Sequence, residues 1–332
     1  MAKKIKAIGM LSGGLDSSIA AKLILDQGID VIALNFKSPF CLCDQKGKCY
    51  SAIIAAQLKI PLKTVFKGED YIRLLQNPKH GYGSGMNPCI DCRIFALKKA
   101  RKFAKQAGAK FIFTGEVLGQ RPMSQRSDAL RLIEKEAGLK GKLLRPLSAK
   151  LLPETEAEKK GWIRRENLLA INGRGRKRQF ELAKSLNVND YPCPSGGCLL
   201  TYKEFAAKVR DLFSHRKKAT LIDIELLKIG RHFRFGENKI IAGRDEKENK
   251  NLLALVQKKE LVFEVPKTGS PIVLLQGKKT KQAVEKAASI ALRYSDCTND
   301  SAPVEYWQGK SKKKNRVLVQ KISEEELLKI RI

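Results

Sequence analysis

The segment SGGLDSS, residues 12–18, combines two glycines, three serines and an aspartate. It follows an apolar run, residues 5–11, that predicts a short buried strand, and it precedes apolar residues at helical spacing. A loop that opens a helix after a strand directs backbone N–H groups and the positive end of the helix dipole toward one point. The segment therefore predicts an anion site, above all a site for phosphate.

Two better-known phosphate loops do not fit this segment. It lacks the pattern GxxxxGK[ST], whose lysine reaches the β- and γ-phosphates, and its glycines do not have the spacing GxGxxG. A glycine-rich turn with a serine helix cap is the alternative, and many α/β proteins contain one. The full string is more specific than such a turn, which favours the phosphate site.

The cysteines are the second set of residues that could carry chemistry. The sequence has 3 histidines against 8 cysteines, which disfavours a histidine-based catalytic device. We expect a cytoplasmic chain, in which grouped cysteines indicate metal binding or catalysis rather than a disulfide framework. The groups are Cys41, Cys43 and Cys49 in CLCDQKGKC, Cys89 and Cys92 in NPCIDC, Cys193 and Cys198 in YPCPSGGC, and the single Cys297.

The elements around these residues alternate between strand and helix. Strands are predicted at 30–38, 61–66 and 110–115, with helices at 50–60 and 89–108. This alternation predicts an α/β fold with a doubly wound parallel sheet, in which ligands bind beyond the carboxyl ends of the strands. The loop at Ser12, the turn after Asn35 and the segment after Thr114 should converge at that edge.

The rest of the chain predicts a basic region and a second domain. We expect one domain at 1–205, whose part from about 150 is basic, and a smaller α+β domain at 222–325. Two sets of basic residues are candidates for RNA contacts. They are Arg174, Arg176, Lys177 and Arg178 in the first domain, and Arg231, Arg234, Lys239, Arg244 and the run Lys310–Lys314 in the second.

The charge balance indicates a polyanionic partner. Lys and Arg number 65 and Asp and Glu 34, which gives a net charge of +31. Such an excess repels itself unless a polyanion is a usual partner, and the lysine surplus of thermophiles is normally matched by glutamate. We therefore expect binding to nucleic acid. No apolar run approaches a membrane span, so we expect no membrane contact and a cytoplasmic location.

Several long segments resemble known families. SGGLDSS resembles the pyrophosphatase loop (PP-loop) of the adenine-nucleotide alpha-hydrolase-like superfamily. NPKHGYGSGMNPCIDCRIFALKKA, FTGEVLGQRPMSQR, LLRPLSAKLLPET and DYPCPSGGCLLT resemble stand-alone tRNA thiouridylases, cousins of the tRNA 2-thiouridylases and 4-thiouridine synthetases. RHFRFGENKIIAGRDEKENKNLL resembles the small RNA-binding domain of NFACT proteins. Together these resemblances cover nearly the whole chain.

The resemblance implies ATP-dependent thiolation of a uridine in tRNA. ATP would be cleaved to AMP and pyrophosphate, the uridine oxygen would be adenylated, and sulfur from hydrosulfide or a persulfide carrier would displace AMP. It implies that Ser12, Gly13, Gly14, Ser17 and Ser18 hold the phosphates, that Asp16 holds Mg²⁺ and is catalytic, that Asn35 and Phe36 border the adenine, and that Gly115 and Glu116 lie near the α-phosphate.

The cysteines suggest how sulfur is delivered. Cys89 and Cys92 form a CxxC at the start of a helix, and Cys198 would complete a catalytic three-cysteine site. Three thiolates on a [4Fe–4S] cluster leave one iron open for hydrosulfide. Related two-cysteine thiouridylases use a persulfide instead, through cysteines that align with Cys92 and Cys198. Cys89 departs from that pattern and favours the cluster. Structural zinc remains the alternative at Cys41, Cys43 and Cys49.

Other function classes stay open from the sequence. An ATP-dependent tRNA ligase would use the same loop but would not need CxxC and a distant cysteine. A non-enzymatic RNA-binding protein would not need the intact loop, and sulfur transfer to a small molecule would leave the net charge unexplained. The sequence does not decide between C2 and C4 thiolation, or between a monomer and a homodimer.

Overall fold

The computed structural model describes residues 4–42, 49–189, 191 and 197–332. The chain forms two compact units, residues 1–201 and 202–332. Cys43 and Cys193 lie outside the described residues. No helix within these described ranges is long and apolar enough to cross a membrane.

The first unit alternates strands and helices along most of its length, as the sequence predicts. Short 3₁₀ turns occur at Ala149–Leu151, Arg165–Asn167 and Leu199–Thr201. The strands and helices are β1 (Lys6–Met10), α1 (Leu15–Leu25), β2 (Asp30–Lys37), α2 (Tyr50–Gln57), β3 (Leu62–Phe66), α3 (Glu69–Gln76), α4 (Cys89–Ala107), β4 (Phe111–Thr114), α5 (Ser127–Ala137), β5 (Leu143–Leu144), α6 (Glu156–Lys159) and α7 (Lys177–Ser185).

Five parallel strands form the sheet of the first unit, in the order β3-β2-β1-β4-β5. One face packs on α1, α2 and α7, with Ile19, Ile54 and Ala183 in the same buried cluster. The opposite face packs on α4 and α5, through residues such as Leu97 and Ile133. The doubly wound α/β fold is therefore confirmed.

The strand register aligns the ends of the central strands. Met10 on β1 lies opposite Leu34 on β2 and Thr114 on β4. The residues that follow these three positions therefore leave the sheet at one edge. This edge receives the loop 12–18, the pair Asn35 and Phe36, and the pair Gly115 and Glu116.

The second unit is an α+β domain built on an antiparallel sheet of six strands, in the order β11-β10-β8-β9-β7-β6. One face packs on α11 and the other on α9 and α10. Its elements are α8 (Lys203–His215), α9 (Leu221–Leu227), β6 (Arg231–Phe235), β7 (Asn238–Ala242), α10 (Glu246–Leu255), β8 (Leu261–Glu264), β9 (Val273–Gln276), α11 (Lys281–Arg293), β10 (Ser301–Gln308), β11 (Asn315–Gln320) and α12 (Glu324–Ile330).

Candidate active site at the carboxyl edge of the parallel sheet

Two glycines allow the close backbone approaches at this edge. Gly13 has a φ of +80°, and a Cβ atom there would lie 2.4 Å from the backbone nitrogen of Ser51. A Cβ atom on Gly115 would lie 2.5 Å from the backbone nitrogen of Ser17. Gly115 therefore lets the end of β4 touch the first turn of α1, and this contact brings the end of β4 to the phosphate loop.

The three serines of the loop have different positions. The Ser17 and Ser18 hydroxyls donate to the carbonyl oxygen of Gly14, at 2.8 and 3.0 Å, and both side chains are buried. The Ser12 hydroxyl lies 3.1 Å from the Ser17 hydroxyl, and Ser12 is exposed and lines a cavity of about 270 Å³, the main cavity, which extends to Cys92 and Cys198. Ser12 is thus the hydroxyl available to a ligand, while Ser17 and Ser18 hold the loop in shape.

Asp16 has a carboxylate oxygen without a partner. Its Oδ1 is buried and makes no hydrogen bond with any described residue, and its Oδ2 lies 3.9 Å from Nη2 of Arg176. Burial raises the pKa of Asp16 above its usual value, although Arg176 and the amides of Gln120 and Gln179 oppose the shift. An unpaired carboxylate oxygen beside a phosphate loop is a ligand that suits Mg²⁺.

Glu116 belongs to a buried network of ion pairs with Arg145 and Arg93. Its carboxylate accepts hydrogen bonds from Nε of Arg145 at 3.0 Å and the Thr114 hydroxyl at 3.1 Å, and it lies 3.5 Å from Nε of Arg93. Burial alone would raise the pKa of Glu116, but Arg145 and Arg93 hold it below its usual value. Glu116 therefore positions Arg93, whose side chain lines the main cavity.

Asn35 and Phe36 border a small pocket beside the loop. Asn35 is buried, Phe36 is half-buried, and the pocket of about 40 Å³ also touches Ser12 and Tyr50. Phe36 contributes to the main cavity as well. The two residues predicted to border an adenine therefore lie next to the phosphate loop.

The main cavity joins the phosphate loop to the cysteines. Its volume is about 270 Å³. Ser12, Leu34 and Phe36 line the nucleotide side, and Arg93 and Arg121 add positive charge. The cysteines that line the same cavity are Cys41, Cys89, Cys92 and Cys198.

The two cysteines of the CxxC have different surroundings. Both lie on the first turn of α4, where the Asn87 amide donates to Sγ of Cys89 at 3.2 Å. Nζ of Lys67 donates to Sγ of Cys92 at 2.9 Å and lies over the ring of Tyr71. Burial raises the pKa of the Cys92 thiol, but Lys67, the Tyr71 hydroxyl and Arg93 together outweigh it and hold that pKa below its usual value. These contacts thus favour the thiolate form of Cys92.

Cys198 lies directly beside Cys41. The backbone nitrogen of Leu42 donates to the Gly197 carbonyl, and that of Leu199 donates to the Phe40 carbonyl. These bonds flank an isolated antiparallel bridge between Cys41 and Cys198. In such a non-hydrogen-bonded pair the Cα atoms are about 4.5 Å apart and the side chains are adjacent.

Cys198 loses its proton less readily than Cys92. Burial raises the pKa of Cys198 to about 12, and the neighbouring thiols of Cys92, Cys89 and Cys41 contribute to the rise. Without a metal or another cation, Cys198 is therefore a protonated thiol in the cavity that Cys92 also lines.

The described side chains are not arranged as ligands around a metal ion. Within residues 4–42, 49–189, 191 and 197–332, no group of three or more His, Cys, Asp and Glu side chains is arranged to hold a metal ion. Cys49 precedes α2, where its Sγ lies 3.4 Å from the Ser51 hydroxyl, whereas Cys41 lies in the main cavity. Two cysteines of the predicted zinc pattern thus have different surroundings, and the third, Cys43, is outside the described residues.

The basic residues of the first unit divide into two kinds. Arg174, Lys177 and Arg178 are exposed, which suits phosphate contacts with RNA. Arg176 is only 21% exposed and faces Asp16. The spacing of all four predicts a single RNA-binding cluster, but Arg176 lies at the phosphate loop.

In the second unit, several predicted RNA-binding residues are paired with local groups. Arg234 and Lys239 both contact the carboxylate of Asp211, at 2.6 and 3.2 Å. Arg244 pairs with Glu248, and the Arg231 guanidinium lies 4.4 Å from the centre of the Tyr294 ring. The lysines at 310, 312 and 313, in the turn between β10 and β11, are exposed and make no ion pair with any described residue.

Three residues that line the main cavity are not predicted by any sequence pattern. Lys67 lies directly after β3, Arg93 lies on α4, and Arg121 lies in the segment that follows β4. Each is one basic residue among 65, and no local pattern distinguishes it. Only the strand ends that precede Lys67 and Arg121 could have indicated their place at the carboxyl edge.

Comparison with known protein families gives two matches in different parts of the chain. Residues 3–150 match the family described as "Thiamine biosynthesis protein (ThiI)". Residues 230–330 match the family described as "NFACT protein RNA binding domain". The first range contains the phosphate loop and the CxxC, and the second contains the antiparallel sheet.

Similar proteins act on tRNA according to their names. The chain is 31% identical over 130 residues to a tRNA-specific 2-thiouridylase MnmA of Leptospira interrogans, a match covering 34% of each protein. It is 30% identical over 117 residues to a probable tRNA sulfurtransferase of Thermococcus kodakarensis, covering 35% of this chain and 30% of that protein. The matched region thus spans about one third of these relatives.

Two further likenesses extend over more of the chain. A tRNA-specific 2-thiouridylase MnmA of Rippkaea orientalis is 27% identical over 240 residues, or 68% of this chain and 64% of that protein. A solved 4-thiouridine synthetase–RNA complex with bound ATP aligns at 21% identity and a TM-score of 0.37, over 67% of this chain and 52% of that one.

Proposed function

We propose that this chain, which joins a domain of the ThiI family to an RNA-binding domain of the NFACT type, is a cytoplasmic enzyme that thiolates a uridine in tRNA with ATP. One observation carries the proposal. The phosphate-loop residue Ser12 and four cysteines line the same cavity. A nucleotide and a sulfur nucleophile could therefore meet there without a long transfer.

The chemistry explains why both halves of the cavity are needed. A uridine carbonyl oxygen is a poor leaving group, but transfer of AMP to that oxygen makes AMP the leaving group and releases pyrophosphate. Ser12 and the backbone N–H groups of the loop would bind the phosphates. Asp16 would hold Mg²⁺, which supplies positive charge to the phosphate oxygens. Arg93 and Arg121 would meet the negative charge of the adenylated base.

For sulfur delivery, we propose that Cys89, Cys92 and Cys198 hold a [4Fe–4S] cluster. Thiolates are the ligands that such clusters prefer, and these three line one cavity, although their side chains are not arranged around a single metal ion. When bound, a cluster with three protein ligands would supply an open iron for hydrosulfide. The Lys67 ammonium beside Cys92 would help to hold this thiol in its anionic, ligating form.

The test of this mechanism measures the metal and the products separately. Anaerobically purified full-length protein should contain iron and acid-labile sulfide in cluster stoichiometry. Serine at Cys89, Cys92 or Cys198 should remove both, while Cys297→Ser, a change in the second unit, should leave both unchanged. The reaction should yield AMP, pyrophosphate and thiouridine, identified by mass spectrometry of tRNA nucleosides. Formation of ADP and orthophosphate would contradict the pyrophosphatase mechanism.

A second route is supported by the pairing of Cys198 with Cys41. A persulfide on Cys198 would attack the activated carbon, form a C–S bond and expel AMP. The Cys41 thiolate would then attack Sγ of Cys198, releasing thiouridine and leaving a Cys41–Cys198 disulfide for a thiol reductant to open. In this route, iron-free protein carrying a persulfide completes one turnover. In the cluster route, iron-free protein forms no thiouridine.

A further inference from the structure

Buried polar atoms without partners surround Asp16. Within the described residues, its Oδ1, Nε2 of Gln120 and both amide atoms of Gln179 make no hydrogen bond of normal geometry, although both amides lie near enough to Asp16 to oppose the rise of its pKa. Gln179 is 0% exposed and Gln120 is 8% exposed. Native proteins pair nearly all buried polar groups, so a set of unpaired ones at one place points to an absent ligand.

Gln179 reaches this place from a separate part of the chain. It lies on the first turn of α7, which packs on α1 through the core shared by Ala183 and Ile19. Arg176 directly precedes α7 and lies 3.9 Å from Asp16. The range 176–179 is outside both family matches, at 3–150 and 230–330. The phosphate loop thus faces a second wall that the ThiI-family range does not include.

The positive charge at this place is only partly balanced by carboxylates. The Arg121 guanidinium makes no hydrogen bond or ion pair with any described residue, and burial, Arg93 and Arg176 together lower its pKa. Arg93 and Arg121 line the same cavity, and the charges of Arg93 and Arg176 both act on the Arg121 guanidinium. Glu116 meets the charge of Arg93, and Asp16 lies at the limit of an ion pair with Arg176. A polyanion would balance the remainder.

We propose that Arg176 and Gln179 form a pyrophosphate-binding wall opposite the loop 12–18. Arg176 binds the β- and γ-phosphate end of ATP, and the Gln179 amide bonds to phosphate oxygens or to water around Asp16. This inference rests on the proposed use of ATP and adds residues for the leaving pyrophosphate. It also separates Arg176 from its exposed neighbours, Arg174 and Arg178, which remain candidates for RNA contacts.

The first experiment compares arginines of the same segment. Calorimetry on the full-length protein with Mg²⁺ measures affinity for pyrophosphate and for AMP. Arg176→Ala should weaken pyrophosphate binding about 10- to 100-fold, the usual effect of losing a charge-assisted contact. AMP affinity should stay within about twofold. Arg174→Ala and Arg178→Ala are the matched controls, and they should change tRNA affinity without changing pyrophosphate affinity.

The second experiment tests Gln179 with Gln179→Leu, which removes an unpaired amide while keeping a similar volume. The melting temperature of the ligand-free protein should stay constant or rise, because an unsatisfied buried group disappears. Pyrophosphate affinity should fall several-fold. A lower melting temperature with unchanged pyrophosphate affinity would show a structural glutamine and overturn its assigned role.

The remaining outcomes separate this inference from the proposed function. Unchanged pyrophosphate affinity in Arg176→Ala, with tRNA affinity reduced as in Arg174→Ala, would make Arg176 an RNA contact and overturn the inference. A protein that binds pyrophosphate through Arg176 but thiolates no tRNA would leave the inference standing and remove the proposed function. A wild-type protein that binds neither ATP nor pyrophosphate would overturn both.

Discussion

Replacing Glu116 by glutamine should destabilise the first unit strongly. The side chain keeps its shape but loses its charge, and Arg145 then keeps Glu134 as its nearest carboxylate partner. Arg145 is 3% exposed, and its Nη2 already has no hydrogen-bond partner among the described residues. The variant therefore leaves a buried guanidinium with half of its compensation removed.

The size of the effect follows from this burial. Removing one partner of a buried ion pair costs about 3–5 kcal/mol, and the remaining Glu134 contact places Glu116→Gln near the lower limit. For a unit of this size, each kcal/mol lowers the melting temperature by roughly 2–4 °C. We therefore expect a decrease of roughly 6–12 °C for the transition of the first unit.

Calorimetric scans of the full-length protein at several pH values provide the measurement. The matched control is Glu69→Gln, because Glu69 is 61% exposed and lies 4.0 Å from its partner Arg73. This control should cost less than about 1 kcal/mol. Because the pKa of Glu116 is depressed in the folded state, its contribution is complete above the unfolded pKa of about 4.3 and is lost as pH falls through the folded value. The difference between wild type and Glu116→Gln should shrink in that acidic range.

The reasoning would be refuted by a specific pair of results. If Glu116→Gln and Glu69→Gln shift the first transition equally at pH 7, the buried network does not stabilise the unit. Glu116 would then be available for a direct role at the α-phosphate, as the resemblance implies, and the variant should reduce ATP affinity instead.

Three other predictions concern the cysteines and the RNA-binding surface. Oxidation of iron-free protein with diamide should link Cys41 to Cys198, as peptide mapping would show; a link of Cys198 only to the CxxC would contradict the backbone pairing. Lys67→Met should slow alkylation of Cys92 by iodoacetamide at pH 7, since the thiolate loses its ammonium partner, and an unchanged rate would argue against that role. Changing the exposed lysines of the turn 310–313 to glutamine should weaken tRNA binding and flatten the slope of log affinity against log salt by up to nearly one unit per lost phosphate contact. An identical slope would remove this turn from the RNA surface.

The parallel sheet can be predicted from the sequence because each of its central strands is marked by a local pattern of apolar residues. Each central strand is a short apolar run, and a parallel arrangement of such strands places their carboxyl ends together. This explains why Ser12, Asn35 and Glu116 converge as expected. Helices α3 and α5 were not predicted, although their apolar residues have helical spacing.

The pairings within the site could not be predicted because they join distant parts of the chain. Cys41 belongs to a local cysteine pattern with Cys49, yet its neighbour in space is Cys198, through backbone hydrogen bonds that no sequence spacing indicates. The position of Arg176 could not be predicted for the same reason. Its basic neighbours suggest RNA, and only the packing of α7 on α1 shows that it faces Asp16.

The late position of Cys198 has a consequence for the newly made protein. During synthesis, the phosphate loop and the CxxC on α4 both emerge more than one hundred residues before Cys198. Domains fold largely from the N-terminus as they emerge. The carboxyl edge of the parallel sheet can therefore form first. At that stage Cys89 and Cys92 still lack the part of the cavity wall that contains Cys198. A chain interrupted in this interval would carry a phosphate loop and a solvent-open pair of thiols, so the ability to bind ATP would precede protection of the sulfur site from oxidants.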